Sequence, residues 1–266
     1  MISFPESQTE VYATLSKMDQ DTDIGGPRHR FPVTSHSAII AARSADQDVR
    51  QRAFATIVES YWKPAYKYIR IKWQATNEDA KDLTQGFFAT AIEKDYFRSY
   101  DPDKASFQTF VRTCLDAFVA NQRKAEKRLK RGGGAAHFSL DFGEAENELA
   151  QQLVSEITPA EYFQREWVRS LFALAVEGLR RHYSGKRNDV YFKLFELYDL
   201  REDSEPKTSY SALAAEFGLT TVEVTNYLAA ARREFRKIVL ARLREITATE
   251  EEFHNEARAL LGVEIK

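Results

Sequence analysis

The chain has 266 residues, 43% of them hydrophobic, enough apolar content for two domains with modest cores. Charged residues are abundant but nearly balanced at a net of −2, so the molecule is no polycation and any nucleic-acid surface must be local. A single cysteine, Cys114, excludes an internal disulfide framework and cysteine-rich zinc sites, and the five histidines show no ligand-like pairing.

In chain order, residues 1–35 mix Ser, Thr, Asp, Gln and a Gly-Gly-Pro with little periodicity, which predicts a flexible leader. From Asp46 helical signals dominate. Phe54, Ile57, Val58, Tyr61, Ala65, Tyr68 and Ile69 form one apolar stripe, with Pro64 expected to kink or break the helix. Thr76 and Asp79 offer a capping box for a helix through Ile92. Its stripe is Ala80, Leu83, Phe87 and Ala91, its other side shows Asp79, Asp82 and Gln85, and Phe88 sits at the border. Asp101-Pro102-Asp103 reads as a turn, and a long helix starts near Ser106 with Phe107, Phe110, Val111, Cys114 and Phe118 inward. Arg112, Asp116, Gln122, Arg123 and Lys127 face out. The helix ends in a basic run, Arg123 to Arg131, and stops at Gly132-Gly133-Gly134.

Residues 135–157 are acidic (Asp141, Glu144, Glu146, Glu148, Glu156) and predict a flexible linker with at most a short helix. Those carboxylates lie close in sequence to the basic run. They either mask it from DNA or merely keep the linker soluble and extended. Thr158, Pro159 and Glu161 then open a helix through Trp167, Leu171, Leu174 and Leu179. Asn188 is placed to cap another helix through Leu200, and a polar loop follows. Thr249 with Glu252 opens a last helix, ended by Gly262. No strand or repeat is predicted. The expected fold is all-α: a leader over 1–35, a helical domain over 36–134, the linker over 135–157 and a second helical domain over 158–266.

Within the second domain, Ser209 to Arg244 reads as a helix-turn-helix. Ser209 caps a short helix, Gly218 supplies the left-handed turn, and Thr220 with Glu223 caps a longer helix. Ala214, Gly218 and Val224 keep an Ala-x3-Gly-x5-Val spacing. Val224, Leu228, Ala231 and Phe235 form the buried stripe, and Thr221, Val222, Thr225, Asn226 and Ala229 form a short-armed outer face. Arg232, Arg233, Arg236 and Lys237 follow. Small residues that enter a major groove, with cations behind them for phosphates, suit a DNA reader. The plain alternative is a helical hairpin with a solvated basic face. No phosphate-cradling loop, paired metal ligands or nucleophile-base set is apparent, so no catalytic activity is expected. No apolar run is long enough to span a membrane, and the N-terminus lacks a signal peptide's layout, which predicts a soluble cytoplasmic protein.

These stretches together resemble a bacterial RNA polymerase sigma factor of the extracytoplasmic-function (ECF) class, over residues 46–131 and 158–262. EDAKDLTQGFF (Glu78 to Phe88) is similar to that family's polymerase-docking helix, which implies core-polymerase contacts at Asp79, Asp82, Leu83, Gln85 and Phe88. FQTFVRTCLDAFVANQRKAEKR (Phe107 to Arg128) is similar to the helix that opens and holds the promoter's minus-ten element. It implies DNA contacts at Tyr96, Tyr100, Arg112, Asn121, Arg123, Lys124, Lys127 and Arg128. Tyr96 and Tyr100 read equally well as base-stacking platforms or as core. The helix-turn-helix stands at the place of the minus-thirty-five reader, which implies contacts at Thr220, Thr221, Thr225, Asn226, Arg232 and Arg233. The Lys130-Arg131-Gly-Gly-Gly stop, TPAEYFQREW and ATEEEF resemble a larger-than-usual subgroup.

Ala117 stands where many members carry Asn, Asn121 where they carry Asp, and Tyr227 and Ala230 where they place arginines, which bears on promoter preference. The resemblance implies core RNA polymerase, promoter DNA and an anti-sigma factor as partners, with no cofactor and no membrane insertion. The competing expectation is a polymerase-independent helix-turn-helix regulator.

Overall fold

A computed structural model describes residues 37–126, 140–151, 157–185, 188–200 and 208–262. One helical turn, α1 (Ala38–Ala41), leads into α2 (Gln47–Lys72). Asp46 fixes the start of α2 by accepting hydrogen bonds from the amides of Asp48 at 2.9 Å and Val49 at 3.1 Å. No break occurs at Pro64: that residue is buried inside a continuous 26-residue helix. A mid-helix proline costs ~3 kcal/mol. Tyr61, Tyr66, Tyr68 and Ile69 are fully buried around it, and each large side chain taken from water contributes about 1.5–3 kcal/mol, which outweighs the cost.

Helix α3 (Asn77–Glu93) opens where the Asp79 amide donates to Thr76 Oγ1 at 3.2 Å and that hydroxyl donates to Asp79 Oδ2 at 2.8 Å. Asp95, at φ 54°, turns the chain into a 3-10 turn, Tyr96–Ser99. Helix α4 (Phe107–Glu126) buries Phe107, Val111, Leu115, Phe118 and Val119, while Phe110 and Cys114 lie at the border of that face rather than inside it. Burial pushes the Cys114 thiol up to about 11.

Helices α5 (Phe142–Gln151), α6 (Pro159–Tyr183), α7 (Asp189–Asp199), α8 (Tyr210–Phe217), α9 (Thr221–Glu245) and α10 (Glu250–Leu261) complete the described chain. The chain is all-helical, with no strand among the described residues. Helix α6 opens on the expected reciprocal box: the Glu161 carboxylate accepts from the Thr158 amide at 2.8 Å, and the Glu161 amide donates to Thr158 Oγ1 at 3.3 Å.

Three local expectations are corrected. Asn188 makes no side-chain cap. Instead Asp189 Oδ1 accepts from the Gly185 amide at 3.2 Å. Thr249 accepts from the Glu252 amide, but the Glu252 carboxylate does not return to Thr249. It accepts from the Phe107 amide at 2.8 Å, the Tyr100 hydroxyl at 2.9 Å and the Ala248 amide at 2.7 Å. The acidic stretch meanwhile contains ten-residue α5, whose glutamates pair with cations of α2, so over 142–151 it is a docked helix and not a flexible spacer. The charge attraction that acidic composition promises is used within the protein.

The chain divides into two compact units, one from Ser35–Ser170 with Arg244–Phe253, the other from Leu171–Leu243 with the segment from His254 on. The boundary therefore falls within α6 and not in the acidic stretch. In the first unit, Tyr61 meets Phe107 edge-on at 5.6 Å and stacks with Trp167 at 6.4 Å. In the second, Leu194, Leu213, Ala214, Val224 and Leu228 form the core under α8 and α9.

Candidate nucleic-acid interface

In the second unit, Ser209 Oγ accepts from the Ala212 amide at 3.1 Å and starts α8. Gly218 ends it at φ 65°, where any β-carbon would be strained, and its amide donates to the Ala214 carbonyl. Two residues later the capping box forms: the Thr220 amide donates to Glu223 Oε2 at 2.8 Å, and the Glu223 amide to Thr220 Oγ1 at 3.2 Å. The Thr220 amide and hydroxyl hold the Glu223 carboxyl below its ordinary value. Val224, Leu228 and Ala231 are wholly buried, so the opposite row faces solvent.

That row carries Thr221, Val222, Thr225 and Asn226, all exposed, followed by half-buried Ala229 and exposed Arg233 and Lys237. Val222 is 66% exposed, high for a large apolar side chain. Thr225 Oγ1 donates to the Thr221 carbonyl at 2.9 Å, so its lone pairs remain outward while its proton is committed. Tyr227 is half-buried and stacks on Tyr191 at 4.3 Å.

Arg232 departs from expectation. It is 7% exposed and donates from Nε at 3.1 Å and Nη2 at 2.9 Å to Asp199 of α7, with its guanidinium over the Tyr198 ring. Burial acts to lower its pKa, and the Asp199 bonds and charge more than reverse that. Arg232 ties α9 to α7 and is withdrawn from the DNA-contact set. The signal in the sequence was its position: Arg232 follows Ala231 and Leu228 on the buried stripe.

In the first unit the expected docking residues separate. Asp79 and Asp82 are exposed, Leu83 and Gln85 half-buried, and Phe88 is 0% exposed against Phe87 at 5.0 Å. Phe88 is core, edge-on to Phe87, which itself meets Phe118 of α4 at 5.9 Å. Asp79 also receives the Thr76 hydroxyl.

Of the expected minus-ten residues, Asn121 and Lys124 are exposed, while Tyr96 and Arg112 are half-buried. Tyr100 is 4% exposed, packed on Phe107 at 5.0 Å and hydrogen-bonded to Glu252, so it is core and not a base platform. Arg123 donates to the Trp73 carbonyl and lies over the Trp73 ring at 5.1 Å, so its charge is held inside the unit. Lys127 and Arg128 lie outside the described residues.

Asp116, expected free on the outer face, accepts from Tyr68 at 3.0 Å, Lys72 at 2.7 Å and Trp73 Nε1 at 3.1 Å. Sequence reasoning missed this hub, the Arg232–Asp199 pair and the α2–α5 ion pairs alike. Each joins residues far apart in sequence. Among the described residues, no group of three or more His, Cys, Asp or Glu could hold a metal ion, and no helix is long and apolar enough to cross a membrane. No family model, curated protein or solved structure matches this chain.

Proposed function

We propose that the chain is a promoter-specificity factor: it binds core RNA polymerase, recognises promoter DNA and helps open it for transcription initiation. One observation carries the reading. Gly218 and the Thr220–Glu223 box present an outer row of Thr221, Val222, Thr225 and Asn226, followed about two to three turns later by Arg233 and Lys237. In this reading α8 and α9 are a helix-turn-helix. The start of α9 enters the major groove, Asn226 pairs with an adenine edge, and Arg233 holds a phosphate. Asp79, Asp82, Leu83 and Gln85 then form the polymerase-facing side of α3. Tyr96, Arg112, Asn121 and Lys124 remain for the minus-ten element. The role is cytoplasmic and non-catalytic, and an anti-sigma factor is a fitting regulator.

A polymerase-independent regulator is the second reading, favoured by the burial of Phe88 and Tyr100, which removes one residue from each first-unit contact set. Pull-down with core polymerase separates the two. Parent chain should co-purify with the polymerase, and Asp82→Arg should weaken that binding with helicity unchanged, because an exposed charge change rarely costs much stability. Equal recovery of both proteins would remove α3 from the interface, and no recovery of either would favour the independent regulator.

A further inference from the structure

We propose that the groove on α2 filled by helix α5 is a docking surface for an acidic, aromatic-led helix of a partner protein, with α5 as its resident competitor. Lys63, Lys67 and Arg70 recur on α2 at the spacing that puts them on one face, beside Trp62 and Tyr66. Helix α5 answers each of them. Phe142 meets Trp62 edge-on at 5.5 Å and Tyr66 at 5.1 Å, and Ala145, wholly buried, lets the two backbones approach. Glu144 and Glu148 reach Lys63 at 2.9 and 3.0 Å, and Glu148 reaches Lys67 at 2.6 Å. On the other flank Glu146 takes a two-bond fork from Arg70, at 2.6 and 3.1 Å, and the Tyr66 hydroxyl at 2.5 Å.

The floor of the groove selects the occupant. Lys67 is 1% exposed and also bonds Glu166 at 2.6 Å, itself 2% exposed and paired with Arg169. Among the described residues Lys63, Lys67, Arg70 and Arg169 meet the carboxylates of Glu144, Glu146, Glu148 and Glu166, and lifting α5 removes the first three of these carboxylates. An uncompensated cation beside an aromatic slot demands a replacement. A duplex backbone fits it poorly, because its phosphates would meet Glu166 and it has no ring for the Trp62–Tyr66 slot. A helix with a ring, a small residue and flanking carboxylates fits both.

The resident helix is replaceable. At ten residues it is below the length at which an isolated helix holds in water, and its outer Glu144 side chain is 59% exposed, where an ion pair contributes little. Its advantage is its tether, which supplies a high effective concentration. This inference stands whether or not the chain serves transcription.

The test titrates a fluorescein-labelled peptide with the sequence of residues 140–151 into the full chain and follows anisotropy. Phe142→Ala with Glu146→Gln in the chain should undock α5 and tighten peptide binding at least tenfold over the parent. Adding Lys67→Met should reverse that gain, and a peptide carrying the same two changes should bind at least tenfold more weakly. A milder chain variant, Glu144→Gln with Glu148→Gln, should show the same order with a smaller gain, and it decides the matter if the first variant melts. Equal peptide affinity for parent and opened chains, no binding to any of them, or tighter binding of labelled duplex DNA than of peptide to the opened chain would each overturn the proposal.

Discussion

Arg232 and Arg233 are neighbours in the sequence, yet one is forked onto Asp199 and the other is exposed. A single helical step of about 100° decides this, since Arg232 extends the row of Leu228 and Ala231 and Arg233 extends the row of Thr225 and Asn226. Arg232→Ala takes two guanidinium hydrogen bonds from the Asp199 side chain, which is 7% exposed. It should destabilise the fold by about 3–5 kcal/mol in urea unfolding. Loss below about 1 kcal/mol would mean the pair is solvated and the mutant unstrained. Arg233→Ala should leave stability intact, weaken every DNA sequence alike and reduce the salt slope by about one unit. Asn226→Ala should instead cost about 1–3 kcal/mol of discrimination at one base position. Identical preference profiles for both mutants would mean that α9 does not read bases.

At the scale of elements, helix starts were legible because caps are local: Thr76, Thr158, Ser209 and Thr220 each accept from an amide three residues on, a distance a sequence displays directly. What each helix end meets next was not legible. Glu252 fits the box pattern, but its carboxylate goes to Tyr100 and Phe107, 152 and 145 residues away. Acidic α5 looked like linker for the same reason, since Lys63, Lys67 and Arg70 lie some eighty residues upstream.

Docking of α5 makes a pH prediction. The Arg70 hydrogen bonds hold Glu146 below its ordinary 4.5, and for Glu148 burial acts upward but Lys67 and Lys63 outweigh it, so it too is lowered. Lowered carboxylates stabilise the folded chain above the unfolded value and lose that contribution as pH falls through their folded values. The stability gap between parent and Glu146→Gln/Glu148→Gln should therefore be full at pH 7 and shrink below about pH 4.3, the unperturbed range for glutamate. A gap unchanged between pH 7 and pH 3 in urea unfolding would show that these ion pairs do not hold the helix.

For the whole molecule, all-helical character follows from periodicity, and the structure agrees with it. The division into units does not follow from composition. It falls between Ser170 and Leu171, inside a helix whose apolar stripe runs on without a break, and Arg244–Phe253 belongs with the first unit. Composition marks where a chain is polar, and α5 shows that a polar segment can be packed by its charges. The proposed function needs the whole chain: polymerase and the minus-ten element meet the first unit, and the minus-thirty-five element meets the second. Reconstituted transcription tests it most directly, with purified bacterial core polymerase, the full chain and a genomic promoter library. The account predicts transcripts from a defined promoter set that vanish without the chain, with usage shifted by Asn226→Ala and lowered by Asp82→Arg. Sequence-specific DNA binding with no chain-dependent transcript from any promoter would contradict it.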